Sequence, residues 1–218
     1  TDRERPAEPS YRGGQFERVL DPALTEAVKG LGRKEGATLF MTLLAAWEVW
    51  LWRHTGQTDF AVGSPVAGRT HPELETLIGL FVNTLVLRSD VAPTLSFPEL
   101  VRRVRARTLR AYDRQEAPFE QVGEAVNPER TMSRSPLFQV MFSVQNMPRA
   151  TFAAEGLRVE PVAVEVTQAK FDLTLFVVER DGGGLGLSLE YNTDLFDAET
   201  AERFLARYEA LLAAISAA

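Results

Sequence analysis

At 218 residues, 45% apolar and 25% charged, the chain can fill one substantial core and has the composition of a folded globular protein, not of a disordered or fibrous one. Its 24 basic and 30 acidic side chains leave a formal charge of −6, which opposes tight binding to the phosphates of DNA or RNA. The absence of cysteine excludes disulfides, iron–sulfur clusters and thiol catalysis within the chain.

Residues 1–14, TDRERPAEPSYRGG, are rich in charge, proline and glycine and read as a linker or a poorly ordered arm. They lack the apolar core of a signal peptide, and no run approaches the ~18 to 20 apolar residues of a membrane span, so a cytoplasmic protein with no membrane contact is expected. A start of this kind, without methionine, is expected of a piece of something longer; processing gives the same look. Gln15–Leu20 alternates as a leading strand. Asp21 is placed to cap a helix, with Pro22 in its first turn, Leu24, Val28 and Leu31 as its apolar stripe and Gly36 at its end. Thr38 starts a longer helix through His54, with Gly56 as its stop. That helix is apolar on nearly all sides and carries all three tryptophans, Trp47, Trp50 and Trp52, so it is expected to be buried, with the rings as core packing and not a ligand box.

Phe60–Gly63 reads as a second strand, leading into the loop Gly63–Arg69, whose polar groups are Ser64 and Arg69. Its Gly-Ser-Pro-Val-Ala-Gly-Arg sequence satisfies neither the phosphate-loop nor the nucleophile-elbow pattern. Glu73–Gly79 reads as a short helical turn. The densest apolar run with a polar interruption is Leu77–Leu87, LIGLFVNTLVL. Most of it is apolar on both alternating sides, which predicts a central strand covered on both faces. Asn83 would then stand among large apolar neighbours, either as a member of a packing network or as a group aimed at a substrate.

Ser96–Glu99 is a capping box opening a helix to about Tyr112, and Arg102, Arg103, Arg105, Arg107 and Arg110 give it an ordinary charged outer face. Pro118 opens a short helix, followed by the turn-rich stretch Asn127–Pro136. Leu137–Asn146 is the next strand, with Phe138, Val140, Phe142 and Val144 on one face. The other face is mixed, with Gln139, Met141, Ser143 and Gln145, and suits a cleft. A shorter strand is expected near Leu157–Val164, then a hairpin of Lys170–Glu179 and Leu185–Tyr191 around Asp-Gly-Gly-Gly. Asp197 caps a last helix whose stripe includes Leu205, Tyr208 and Leu212. Six or seven strands with long helices at the start, middle and end predict an α/β two-layer sandwich, a mixed β-sheet with helices on one face.

Catalytic candidates are few. The two histidines, His54 and His71, lie far apart in sequence with no cysteine beside them, which gives no metal-ligand spacing. Glu116 and Glu120 sit at a helix start, where negative charge is welcome anyway. Asp172, with Lys170 on the same alternating face, reads as a structural polar pair more than as catalysis. The residues by themselves give a soluble α/β domain with a cleft near Asn83, Gln145 and Asp172.

Several long blocks occur in a telling order: Gly36–Arg69, IGLFVNTLVLR (Ile78–Arg88), RQEAPFEQV (Arg114–Val122), SRSPLFQVMFSVQN (Ser133–Asn146), AKFDLTLFV and LEYNTDLFD. Together they resemble the C-terminal half of the condensation domain of nonribosomal peptide synthetases, over nearly the whole chain. Glu116 departs from the family's more usual Asp. The resemblance implies a chloramphenicol-acetyltransferase-like lobe over residues 15–218, preceded by the tail of the interlobe linker in residues 1–14. The family's catalytic His-His-x-x-x-Asp-Gly block lies in the N-terminal lobe and is absent here, so no catalytic residue is assigned and the chain alone is expected to be inactive. The implied reaction is amide formation between acyl or peptidyl and aminoacyl thioesters. The implied partners are the N-terminal lobe, donor and acceptor carrier proteins with their phosphopantetheine arms, and a neighbouring adenylation domain, in antibiotic biosynthesis. No cofactor is expected on this chain. Half of an epimerisation or heterocyclisation domain, or a purely structural carrier-binding module, are the alternatives. Asn83, Ser143, Gln145, Ser64 and Arg69 are expected to share one substrate-facing tunnel surface, since such a tunnel needs apolar walls with a few amide and hydroxyl groups.

Overall fold

Helix starts follow the chemistry of their capping side chains. Asp21 accepts from the Ala23 amide at 2.7 Å and opens α1 (Pro22–Lys34); Thr38 accepts from Met41 at 3.3 Å and opens α2 (Leu39–Thr55). The Ser96–Glu99 capping box opens α3 (Phe97–Tyr112). The computed structural model describes residues 1–128, 131, 133–145, 157, 162 and 167–217. Within it the strands are β1 (Gly13–Leu20), β2 (Asp59–Val66), β3 (Asn83–Asp90), β4 (Val140–Gln145), β5 (Leu173–Glu179) and β6 (Leu185–Asn192), with α4 (Phe119–Val126), α5 (Ala198–Ser216) and, where a helical turn was expected at Glu73–Gly79, a short 3-10 turn at Pro72–Leu74 completing the elements.

Among the described residues these strands form one six-stranded sheet in the order β1-β6-β5-β4-β2-β3. β2–β4 and β4–β5 pair parallel and the other neighbours antiparallel, so the sheet is mixed, as predicted. Alternation then sorts the side chains. Leu20, Val62, Leu85, Leu87, Phe142, Leu175, Val177, Leu187 and Leu189 are buried beneath α1, α2, α3 and α5. This gives the two layers. α2 lies in the middle of the helical layer, against α1, α3 and α5, which is why it is apolar all round. Trp47 stacks on Trp50 at 4.6 Å, and Tyr208 on α5 donates its hydroxyl to Leu43 O at 2.8 Å. The tryptophan cluster is thus largely core, as expected.

One charge is enclosed in that layer. Glu48 is 0% exposed, and Arg107 of α3 donates to both its carboxylate oxygens at 2.7 Å. Burial pushes the Glu48 carboxyl above its usual range, against the pull of Arg107.

Three expectations need correction. The strand in Leu77–Leu87 begins only at Asn83 and is the edge of the sheet, not its centre. Its alternation buries Leu85, Leu87 and Ser89 under helices, while Ile78, Leu80 and Val82 are exposed. The arm 1–14 is tied down: the Asp2 amide donates to Leu195 O at 2.9 Å, Ser10 Oγ donates to Asp194 at 2.6 Å, and β1 already starts at Gly13. Asp197 is the N-cap of α5 but makes no side-chain capping bond. Its carboxylate pairs with Arg3, and its amide donates to Asp2 at 2.9 Å, which holds the Asp2 carboxyl below its usual range. The expected strand at Leu157–Val164 lies almost wholly outside the described residues.

Candidate functional site

Three loops meet at the β3 edge of the sheet. Gly68 adopts φ +65°, and an added Cβ would lie 1.8 Å from Phe81 O, so only glycine lets the segment after β2 pass against the segment that leads into β3. Arg69 then turns back on its own segment. Its guanidinium donates to the Leu74 and Leu77 carbonyls, the latter at 2.9 Å, and stacks on the Phe81 ring at 4.4 Å. Among the described residues it pairs with no carboxylate. Thr70 reaches across to Glu116 at 3.3 Å.

Asn83 closes the cluster. Its Nδ2 donates to Gln115 O at 2.8 Å and Ala117 O at 2.7 Å, and its Oδ1 accepts from the Phe119 amide at 3.1 Å. Pro118 cannot cap α4 with a side chain, so the amide of Asn83 supplies the acceptor for the first helical N–H. Of the two readings open for Asn83, the packing-network one describes these bonds. Its polar atoms are used on protein backbone.

Ser64 is 3% exposed and lies on the helix-covered side of β2. It borders a hollow of about 480 Å³ with Thr38, Phe40, Tyr112, Gln115 and Val144. Burial raises the Tyr112 phenol above its ordinary pKa, so that group stays neutral and can serve as a donor. Ser143 and Gln145 lie across the sheet. β4 pairs Ser143 with Phe176 and Gln145 with Val178, and these with Ser188 and Gly186, all on the side away from the helices. Gln145 borders a shallow hollow there with Gln15, Glu17 and Ser188. The single shared surface expected for Asn83, Ser143, Gln145, Ser64 and Arg69 therefore does not form: alternation along the strands assigns Asn83 and Ser64 to one face and Ser143 and Gln145 to the other, while Arg69 folds back on its own loop.

The Asp172–Lys170 pair is corrected as well. Asp172 precedes β5 and is held by Arg5 of the arm, Nη1 to Oδ1 at 2.9 Å with a second contact from Nη2. Arg5 also donates to Ser133 O at 3.2 Å, so it joins two of the sequence blocks. The Glu190 carboxyl is pushed up by burial, against the pull of the Lys170 charge and backbone amide. Sequence reasoning misses Arg5 because the arm reads as linker, and its charges carry no periodicity to signal a docked segment. A larger hollow, about 600 Å³, lies at the far end of α2, bordered by Trp50, His54, Gln139, Asp172 and Phe204. His54 stacks on Trp50 at 3.9 Å and shares a hydrogen bond with Trp50 O at 2.8 Å, in the last turn of α2.

The family described as "Condensation domain" matches residues 1–218. The chain belongs to the condensation-domain family. A linear gramicidin synthase of Brevibacillus parabrevis is 47% identical over 219 residues, covering 100% of this chain and 4% of that protein. Malpinin synthetase of Mortierella alpina is 47% identical over 216 residues, 99% of this chain and 3% of its own length. Among solved structures, the X-domain from teicoplanin biosynthesis superposes with a TM-score of 0.88 at 30% identity, covering 99% of this chain and 49% of that one. A holo four-domain nonribosomal peptide synthetase bound to AMP and glycine gives 0.87 at 25% identity, covering 99% and 18%. This condensation-family chain thus spans a small part of its synthetase relatives and about half of the X-domain chain. It has the mixed sheet and one-sided helical layer of those neighbours, the chloramphenicol-acetyltransferase-like arrangement implied by its blocks.

Proposed function

We propose that the chain is the C-terminal, acceptor-side lobe of a nonribosomal peptide synthetase condensation domain, contributing one wall of the tunnel in which an amide bond forms, and inactive by itself. The observation that carries this reading is the match over all 218 residues at about half the length of the X-domain chain, in a sequence without the paired-histidine block. In the reaction the acceptor amine attacks the donor thioester carbonyl, a C–N bond forms, the C–S bond breaks, and the donor thiol leaves with a proton. Holding both phosphopantetheine arms in line removes most of the entropic barrier to that step. Ser143 and Gln145 are the side chains we assign to the tunnel wall, since they supply a hydroxyl and an amide on the side of the sheet away from the helices. Asn83 and Arg69 act by fixing the loops at its β3 end. Residues 1–14 enter as the interlobe linker, and the carrier proteins and an adenylation domain are the partners.

The test is a condensation assay with two loaded carriers. The purified chain is expected to give no product, and the N-terminal lobe added in trans to restore amide formation. Multiple turnovers by the chain alone would overturn the reading. An epimerised or heterocyclised product from the mixture would move it to one of the related domain types.

A further inference from the structure

β2, β4 and β5 run parallel to one another, and a hollow of about 480 Å³ opens at their carboxyl ends, past Ser64 and Val66 of β2, Val144 of β4 and Glu179 of β5. The carboxyl ends of parallel strands are where open α/β sheets hold their ligands, and the volume is that of a small-molecule site. Its polar groups are not spent on the fold. Ser64 is 3% exposed, yet its hydroxyl takes no hydrogen bond among the described residues, nor do the Tyr112 hydroxyl and the Gln115 side-chain amide. Thr38 accepts from the Met41 amide and keeps its own proton to donate. A nearly buried hydroxyl without a partner is costly to the fold, which is a reason to look for a ligand that supplies one. Phe40, Val66 and Val144 give the same hollow apolar walls, and Glu179 is already paired with Lys29 at 2.7 Å.

We infer that this hollow receives the side chain of the acceptor aminoacyl thioester, and that Ser64 and Tyr112 select a side chain that is uncharged and ends in an oxygen, as in glutamine. The inference rests on the reading of the chain as the acceptor-side lobe. Position supports it. Val144 borders the hollow and Gln145, the next residue, stands on the proposed tunnel wall, so the two meet at the end of β4, with Cα atoms about 3.8 Å apart. Chemistry sets the class. The hydroxyls of Ser64, Tyr112 and Thr38 and the Gln115 amide can all donate, so an oxygen is the natural guest. A carboxylate would lose its water beside Glu179 with Lys29 already engaged, and a wholly apolar side chain would leave Ser64 and Tyr112 unpaired.

The experiment uses the complete two-lobed domain, with glutaminyl and norleucyl groups loaded in turn on one acceptor carrier, and reads the ratio of their kcat/KM values. The parent domain is expected to favour the glutaminyl acceptor by about ten-fold or more, and Ser64→Ala/Tyr112→Phe to lower that ratio about ten-fold. Ser64→Thr keeps the hydroxyl and should hold the ratio within about three-fold of the parent. Should the double variant melt early, Tyr112→Phe alone, which removes one oxygen from a ring that stays, decides by a fall of about three-fold or more. Amide formed at an unchanged ratio, or a parent domain that prefers the norleucyl acceptor, would overturn the selection while leaving the lobe assignment standing. Discrimination that follows the donor's side chain and not the acceptor's would give the hollow to the donor and refute the inference. No amide from the two-lobed domain with either acceptor would overturn the lobe reading, and this inference with it.

Discussion

Replacing Asn83 by alanine removes three hydrogen bonds at once: two donated to the Gln115 and Ala117 carbonyls and one accepted from the Phe119 amide. At roughly 1 kcal/mol net apiece, the loss is about 3 kcal/mol. For a domain of this size that lowers the melting temperature by about 6 to 12 °C. Asn83→Asp is the sharper probe. It keeps an acceptor for Phe119 but turns a second oxygen toward two carbonyls, so at pH 7 it is expected to be at least as damaging as alanine. Acidification should return part of the loss, because a protonated carboxyl can donate to one of those carbonyls. Thermal melts of both variants at pH 7 and pH 5, with amide exchange at residues 115–119, provide the measurement. A shift below about 2 °C for alanine, or an aspartate variant as stable as the parent, would refute the clamp and return Asn83 to a substrate role.

Arg107→Met leaves Glu48 buried without its partner and should cost about 3 to 5 kcal/mol at pH 7 by urea denaturation. Because burial already holds the Glu48 pKa above its unfolded value, the folded state takes up its proton first, so the deficit should shrink as pH falls toward 5 and grow as it rises. Arg5→Ala is expected to release the arm from Asp172 and speed proteolytic cleavage before β1. It should cost only about 1 to 2 kcal/mol in a melt, since both partners keep some contact with water.

The helices were legible because their signals are local. Asp21, Thr38 and the Ser96–Glu99 box each satisfy an amide within three residues, so sequence spacing is enough. The edge position of β3 was not legible, because an apolar face against a lobe's own core and an apolar face meant for something else read the same in Leu77–Leu87. The tunnel set failed for a related reason: strand alternation is visible within β4, but whether Asn83 and Ser143 share a side depends on register through β2 that no local pattern carries. Asp172 drew the wrong partner because Lys170 was near in sequence, while Arg5 was near only in space.

Among the described residues β1 is the first strand in sequence and pairs with β6, the last, Leu20 opposite Leu185 and Gly13 opposite Asn192. During synthesis β1 therefore waits for β6 until every element between them has been made. Closing so long a loop is slow in a way that local helix formation is not. α2 and α3 can assemble early, but the sheet cannot be completed on that side until the last strand arrives. Until then the unpaired edge of β1 is open to strands of other molecules. Loss of β6 should thus harm β1 before the middle of the fold.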